Sequence, residues 1–211
     1  MVSATRQRTI VFVQLCMSRS MIKFISAFLF RFVGNCNAKY RLQYYEELRK
    51  YFSITAYGRC SRGMRNDSAL CKRQSVCERQ QLLSSKFYLA FESTTSRIDY
   101  ITEKFWRSLA HGLIPVVLGP KRRDYERVAP PNSFIYAADY SSPQELGKHL
   151  TEITSNQNTY AQYHQWRINY EMRYLGKDVE SFRFCELCYT LNTNTDRMWY
   201  KNLNKFFLET D

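Results

Sequence analysis

The period of apolar positions changes several times along the chain, and each change predicts an element. In YRLQYYEELRKYF (Tyr40–Phe52), Leu42, Tyr45, Leu48, Tyr51 and Phe52 recur at helical spacing with charges opposite, which predicts a helix. Ser53–Tyr57 reads as a strand stopped at Gly58. Arg59–Gln81 is polar, basic and Cys-bearing, a loop with about one helical turn. Then come a strand over Lys86–Phe91, a helix over Thr102–His111 closed by Gly112, and a strand over Ile114–Leu118. That is a βαβ unit, and its right-handed crossover makes the two strands parallel neighbours. Beyond the basic loop Gly119–Asn132, Ser133–Ala137 predicts another strand. Ser142-Pro143-Gln144-Glu145 carries a capping box with Pro at the first helical position, opening a helix to about Ile153. From Thr159 to about Tyr174, Tyr160, Tyr163, Trp166 and Tyr170 predict a further helix whose aromatic stripe packs into a core. The fold class is α/β with a Rossmann-like parallel sheet.

The front of the chain is ambiguous. Ile10–Val33 is apolar, but Arg19, Lys23 and Arg31 interrupt it. Its longest uncharged stretch falls short of the roughly 20 residues a bilayer span needs. A poor membrane anchor, an interfacial helix and a buried segment all fit.

Composition narrows the class. The chain has 211 residues, 45% hydrophobic and 16% aromatic, enough for one full core and too apolar for disorder. Its formal charge of +12 fits a solvated basic surface, an anionic ligand, an acidic membrane or nucleic acid. The basic residues form no helical stripe and match no nucleic-acid motif, so a nucleic-acid partner is not expected. Seven cysteines, at 16, 36, 60, 71, 77, 185 and 188, suggest an oxidising compartment. Cys60, Cys71, Cys77, Cys185 and Cys188 are the disulfide candidates. The pair Cys185 and Cys188 lacks a second pair at zinc-ribbon spacing, so no metal site is expected there. Asn66-Asp67-Ser68 is an N-glycosylation acceptor sequence.

The densest chemistry lies where the first βαβ strand hands over to its helix. Ligands of open α/β sheets bind there, beside helix N-termini that attract phosphate. Lys104 adds a full charge one turn in. Glu103 cannot hold a phosphate, but it can accept hydrogen bonds from sugar hydroxyls. A bland alternative fits the same residues, with Asp99 and Glu103 stabilising the helix start and Lys104 solvated. There is no Gly-rich phosphate loop and no dinucleotide fingerprint.

Phe87–Gly119, with its DYITEKFWRSL centre, closely resembles the donor-binding motif of the α1,3/α1,4-fucosyltransferases, glycosyltransferase family 10. The resemblance extends to GNCNAKYRLQYYEELRKYFSITAYGRC, SFIYAADYSSPQELGKHL, YAQYHQWR and FCELC, roughly Asn35 to Cys188. It implies the nucleotide-sugar-binding half of a GT-B type glycosyltransferase, with residues 1–34 outside the match, a GDP-fucose-binding domain over 35–190 and a tail over 191–211. By the resemblance Arg41 contacts the donor pyrophosphate, Lys104 the phosphates, and Tyr100 lines the nucleotide-sugar pocket. Glu103 holds the fucose and balances developing positive charge, which makes it the catalytic candidate in this chain.

The resemblance further implies inverting transfer of L-fucose from GDP-fucose in α1,3 linkage to N-acetylglucosamine of a glycan or glycoprotein acceptor. It implies a type II Golgi membrane protein with its domain on the lumenal side. No Asp-x-Asp occurs, so no obligatory metal is expected and a divalent ion would be at most stimulatory. Two departures stand out. The family usually has Phe-Glu-Asn-Ser where Phe91-Glu92-Ser93-Thr94 stands, which leaves the Asn role to Ser93 or Thr94. The family's acceptor domain, source of the catalytic base, has no counterpart in residues 1–34, which contain no Asp or Glu. The rival expectation is therefore a non-catalytic donor-binding module.

Overall fold

The computed structural model describes residues 29–32, 36–58, 71–72, 75–95, 97–172, 177–194, 199 and 201–202. Five strands form one parallel sheet: β1 (Leu29–Phe32), β2 (Ile54–Tyr57), β3 (Phe87–Phe91), β4 (Ile114–Leu118) and β5 (Ile135–Tyr136), in the order β2-β1-β3-β4-β5. The helices are α1 (Lys39–Leu48), α2 (Val76–Ser84), α3 (Glu103–Ala110), α4 (Arg122–Glu126), α5 (Pro143–Ser155), α6 (Gln157–Gln162) and α7 (Lys177–Thr193). The chain steps outward from β1 to β2, then returns across β1 to build β3, β4 and β5. The reversal falls between β1 and β3, and in doubly wound sheets that switch point opens the ligand crevice.

Burial on both faces explains the apolar runs. Phe87, Leu89 and Phe91 join Ile114, Val116 and Leu118 in a core covered by α1, α5 and α6. Tyr88, Ala90 and Val117 point the other way, into a second core with Leu82, Phe105, Leu109 and Tyr125. Two buried faces turn the usual alternation into FYLAF and IPVVL, every residue of which is buried. Pro115 is tolerated inside β4 for a local reason. The neighbouring Ile114 N–H points to β3, donating to Lys86 O, so Pro115 would direct its absent N–H toward β5. β5 pairs only from Val116 onward, and no ladder bond is lost.

The helix ends follow their sequence signals. Gly112 sits at φ +75°, and the N–H groups of Gly112 and Leu113 donate to Leu109 O and Ser108 O, closing α3. Ser142 Oγ accepts the Glu145 N–H at 3.2 Å, while the Glu145 carboxylate accepts the Ser141 N–H at 3.1 Å and is held below its ordinary pKa by the Ser141 side chain first and that N–H next.

Several expectations are corrected. The domain boundary expected at Asn35 falls too late, because β1 lies before it and is the strand that joins β2 to β3. A central strand of a parallel sheet and an interrupted anchor look alike in hydropathy. The rest of the expected N-terminal segment lies outside the described residues, as do Cys60 and Asn66. Among the described residues no helix is long and apolar enough to cross a membrane. The helix expected over Thr159–Tyr174 ends at Gln162 and yields to a 3-10 turn at Gln165–Ile168. Tyr160 belongs to one core and Trp166 to the other, so no straight helix could place both.

Cys71 and Cys77, two of the disulfide candidates, are bonded to each other, and Cys36 is disulfide-bonded too. Cys185 and Cys188, expected to be oxidised, are free and exposed on α7, which carries past the expected end of the domain at residue 190. A helix holds Cβ atoms at i and i+3 about 5–6 Å apart. A disulfide needs about 3.5–4.5 Å.

The second core is pinned by charge as well. Arg107 Nη1 donates to Glu78 Oε1 at 2.7 Å and Nη2 to the Tyr88 hydroxyl at 3.0 Å, tying α2 and α3 to β3. Burial opposes the charge on Arg107, yet Tyr88 and Glu78 outweigh it and hold the guanidinium above its ordinary pKa. Arg107→Met would take the guanidinium from the Glu78 carboxylate, whose side chain is 4% exposed. Chemical denaturation should show a loss of about 3–5 kcal/mol, and Glu78→Gln in the same chain should recover part of it.

Candidate active site

The switch-point crevice is built around Glu92, the first residue after β3. Its N–H donates to Leu118 O at 2.7 Å, which fixes the backbone against β4. The side chain is 0% exposed and packs where Gly119 leaves room. A Cβ on Gly119 would stand 3.0 Å from Glu92 Cβ and Cγ and 2.8 Å from the Tyr125 hydroxyl, so this close approach requires glycine.

The Glu92 carboxylate gathers the start of α3. Oε1 accepts the Thr102 N–H at 2.8 Å and the Thr102 hydroxyl at 2.8 Å, and Oε2 accepts Lys104 Nζ at 2.8 Å. Lys104 Nζ also donates to Thr102 Oγ1. Thr102 makes no side-chain cap of its own, and its hydroxyl turns to the carboxylate instead. A buried anion beside exposed helix amides is the arrangement the helix dipole favours.

Arg41 enters from α1, on the buried stripe Arg41, Tyr45 and Leu48. It is 4% exposed, and Nη1 donates to Phe91 O at 3.3 Å. Burial draws its pKa below the ordinary value, while the nearby Glu92 and Tyr100 oppose that shift. Tyr125, behind Glu92, is fully buried, and burial chiefly, with Glu92 next, pushes its phenol well up. The loop over the crevice holds Ser93 and Tyr100, whose hydroxyl oxygens lie 3.2 Å apart. Asp99 takes a left-handed turn at φ 58°, and its carbonyl accepts the Ile101 N–H at 2.8 Å.

Of the residues expected at the site, Arg41, Ser93, Tyr100 and Lys104 do gather at this end of β3. Thr94 is half-buried on the same loop. Glu103 is exposed at the first position of α3, turned about 100° around the helix from Lys104. It shares none of the Glu92 contacts given above. The sequence reading missed Glu92, Thr102 and Gly119. A carboxylate directly after an all-buried strand was the available signal, because such a group must find partners.

The fold and crevice together define a doubly wound α/β domain with a buried charged cluster at its switch point. The comparisons with known proteins give the family. Residues 25–206 match the model described as glycosyltransferase family 10 (fucosyltransferase) C-term. The human 4-galactosyl-N-acetylglucosaminide 3-alpha-L-fucosyltransferase 9 is 38% identical over 176 residues, 83% of this chain and 46% of that protein. The Drosophila melanogaster glycoprotein 3-alpha-L-fucosyltransferase A is 34% identical over 184 residues, 83% of this chain and 34% of its own length. The chain belongs to glycosyltransferase family 10, and it spans about half the length, or less, of these relatives. A crystal structure of an alpha1,3-fucosyltransferase with GDP-fucose superposes with a TM-score of 0.58 at 20% identity, covering 83% of this chain and 50% of that one. The fold is thus the parallel α/β half expected of a GT-B type protein.

Thr102→Val keeps the backbone donor to Glu92 but deletes the hydroxyl that links Glu92 to Lys104. Its expected cost is about 1–3 kcal/mol of stability, because a buried carboxylate loses a partner. Equilibrium unfolding in guanidinium measures it, and an unchanged midpoint would show that Lys104 and the Thr102 N–H satisfy Glu92 without the hydroxyl.

Proposed function

We propose that this chain is the donor-binding part of a fucosyltransferase and that the switch-point crevice takes the diphosphate of GDP-fucose. The observation that carries the reading is the convergence of Arg41 and Lys104 on the carboxyl end of β3, beside the N-terminus of α3, in a family 10 chain. The two cations come from different helices and stand where a doubly wound fold receives phosphates. When the sugar is transferred, negative charge builds on the departing diphosphate, and fixed cations there lower the barrier. Lys104 can serve although it is paired. An ammonium has three donors, and Glu92 and Thr102 take two.

The remaining roles rest on the family resemblance. Tyr100 and Ser93 border the nucleotide-sugar, with Thr94 beside them. Glu103, exposed at the mouth of the crevice, faces the sugar and offsets oxocarbenium-like charge. The acceptor is N-acetylglucosamine of a glycan or glycoprotein, the linkage α1,3 and the site of action the Golgi lumen. Those three points rest on the names of the relatives and on the family resemblance. The base that deprotonates the acceptor comes from the family's acceptor domain, and no obligatory metal is invoked.

Isothermal calorimetry should show GDP and GDP-fucose binding and UDP-sugars not. Arg41→Ala should lower GDP affinity about tenfold or more, as expected for loss of a charge-assisted hydrogen bond. Glu103→Ala should lower affinity for GDP-fucose more than for GDP. Equal affinity for UDP-galactose would sink the donor assignment, and equal losses for both GDP ligands would make Glu103 structural.

Transfer itself is tested by joining an acceptor domain from a relative ahead of β1 and measuring GDP release with product glycan mass. Fucosylation is expected from the joined protein and at most slow GDP-fucose hydrolysis from residues 1–211. General-base catalysis alone commonly contributes about 10²–10⁴-fold.

A further inference from the structure

The residue with the most partners in the crevice is the one least able to reach a ligand. Glu92 has no exposed side-chain surface, and both its carboxylate oxygens are committed to Thr102 and Lys104. We propose that Glu92 is a positioning residue for the donor diphosphate, acting through Lys104; the inference rests on the donor-site reading above.

A lysine side chain is a flexible stem that ends in a point charge. Here its ammonium is fixed at two points, Glu92 Oε2 at 2.8 Å and Thr102 Oγ1, and the side chain is 14% exposed. With two of three tetrahedral donors directed back at those acceptors, the third points away from the buried carboxylate. The same carboxylate holds the Thr102 N–H, so the ammonium and the start of α3 share one anchor. That anchor is in turn set from behind. Glu92 N–H is bonded to Leu118 O, and Gly119 leaves space for the Glu92 methylenes that any Cβ would invade. The chain of contact runs from the β4 turn through Glu92 to Lys104, with no link that touches the ligand until the last.

The opposing effect is electrostatic. A carboxylate near a diphosphate repels it, so removing the charge would tighten binding if repulsion dominated. Positioning predicts the opposite sign, because a lysine released from its anchor loses the geometry that the diphosphate needs.

GDP affinity of the 211-residue chain, measured by calorimetry, separates these readings. Glu92→Gln keeps shape and an acceptor oxygen for Thr102, and should weaken GDP binding about tenfold. Adding Lys104→Met to that variant should cost less than about twofold more, since the lysine has already lost its role. Gly119→Ala, which alters neither charge nor any crevice donor, should weaken GDP binding in the same way and with the same insensitivity to Lys104→Met. It stands in where Glu92→Gln fails to fold. Tighter or unchanged GDP binding in Glu92→Gln would overturn the proposal. So would a further tenfold loss on adding Lys104→Met, because the lysine would then be acting independently of Glu92. No GDP binding by the unmodified chain would overturn the donor-site reading, and this inference with it. Wild-type binding that is indifferent to Glu92→Gln would remove only the inference.

Discussion

A carboxylate without solvent must be neutralised where it stands, and Glu92 meets that demand by drawing three elements together. It follows β3 directly, bonds β4 through its N–H to Leu118 O, and holds the start of α3 through Thr102 and Lys104. Breaking a buried pair of this kind typically costs about 3–5 kcal/mol, while replacing both partners costs far less. Such a pair is therefore weak evidence of stabilisation and better evidence of specification. Here it fixes where α3 begins, and the start of α3 is where the crevice gets its charge.

The sheet is legible in the sequence because both its faces are covered. FYLAF and IPVVL are unbroken apolar runs, a pattern that parallel strands produce and half-exposed strands do not. β1 was harder to read. Its residues lie in a longer apolar stretch with scattered cations, and hydropathy alone does not separate a central strand from a failed anchor. Only pairing to β2 and β3 identifies it. The aromatic stripe from Tyr160 failed differently. Spacing of three to four residues records how often a chain meets a core, not whether it meets the same core each time, and Tyr160 and Trp166 meet different ones.

At the site, residue type was legible and connectivity was not. Glu103 and Lys104 could be singled out as charges beside a predicted helix start, whereas Arg41 and Tyr100 came only from the family resemblance. Glu92 reads in the sequence as the first polar residue past a strand. Its role depends on Gly119, 27 residues later, whose missing Cβ admits the side chain, and no local pattern carries that dependence. Lys104 likewise looks like a solvated surface charge until the buried acceptor beneath it is seen. For Cys185 and Cys188 the spacing was visible but its helical geometry was not, and the helix sets the thiols apart.

The net charge of +12 now takes a different meaning. Most of a positive surface attracts anions without orienting them, and physiological salt screens such attraction beyond about 8 Å. In the crevice the balance is much smaller, with Arg41 and Lys104 set against Glu92. One anion cancels part of the local charge that would hold a diphosphate, so the arrangement gives up attraction. What it gains is an ammonium fixed at two points and a helix start held by the same carboxylate. A site selected for tight retention of a diphosphate would omit the buried acid. On the donor-site reading proposed above, a site that must receive a charged donor, stabilise its departing diphosphate and then let that diphosphate leave is better served by fixed cations than by more of them.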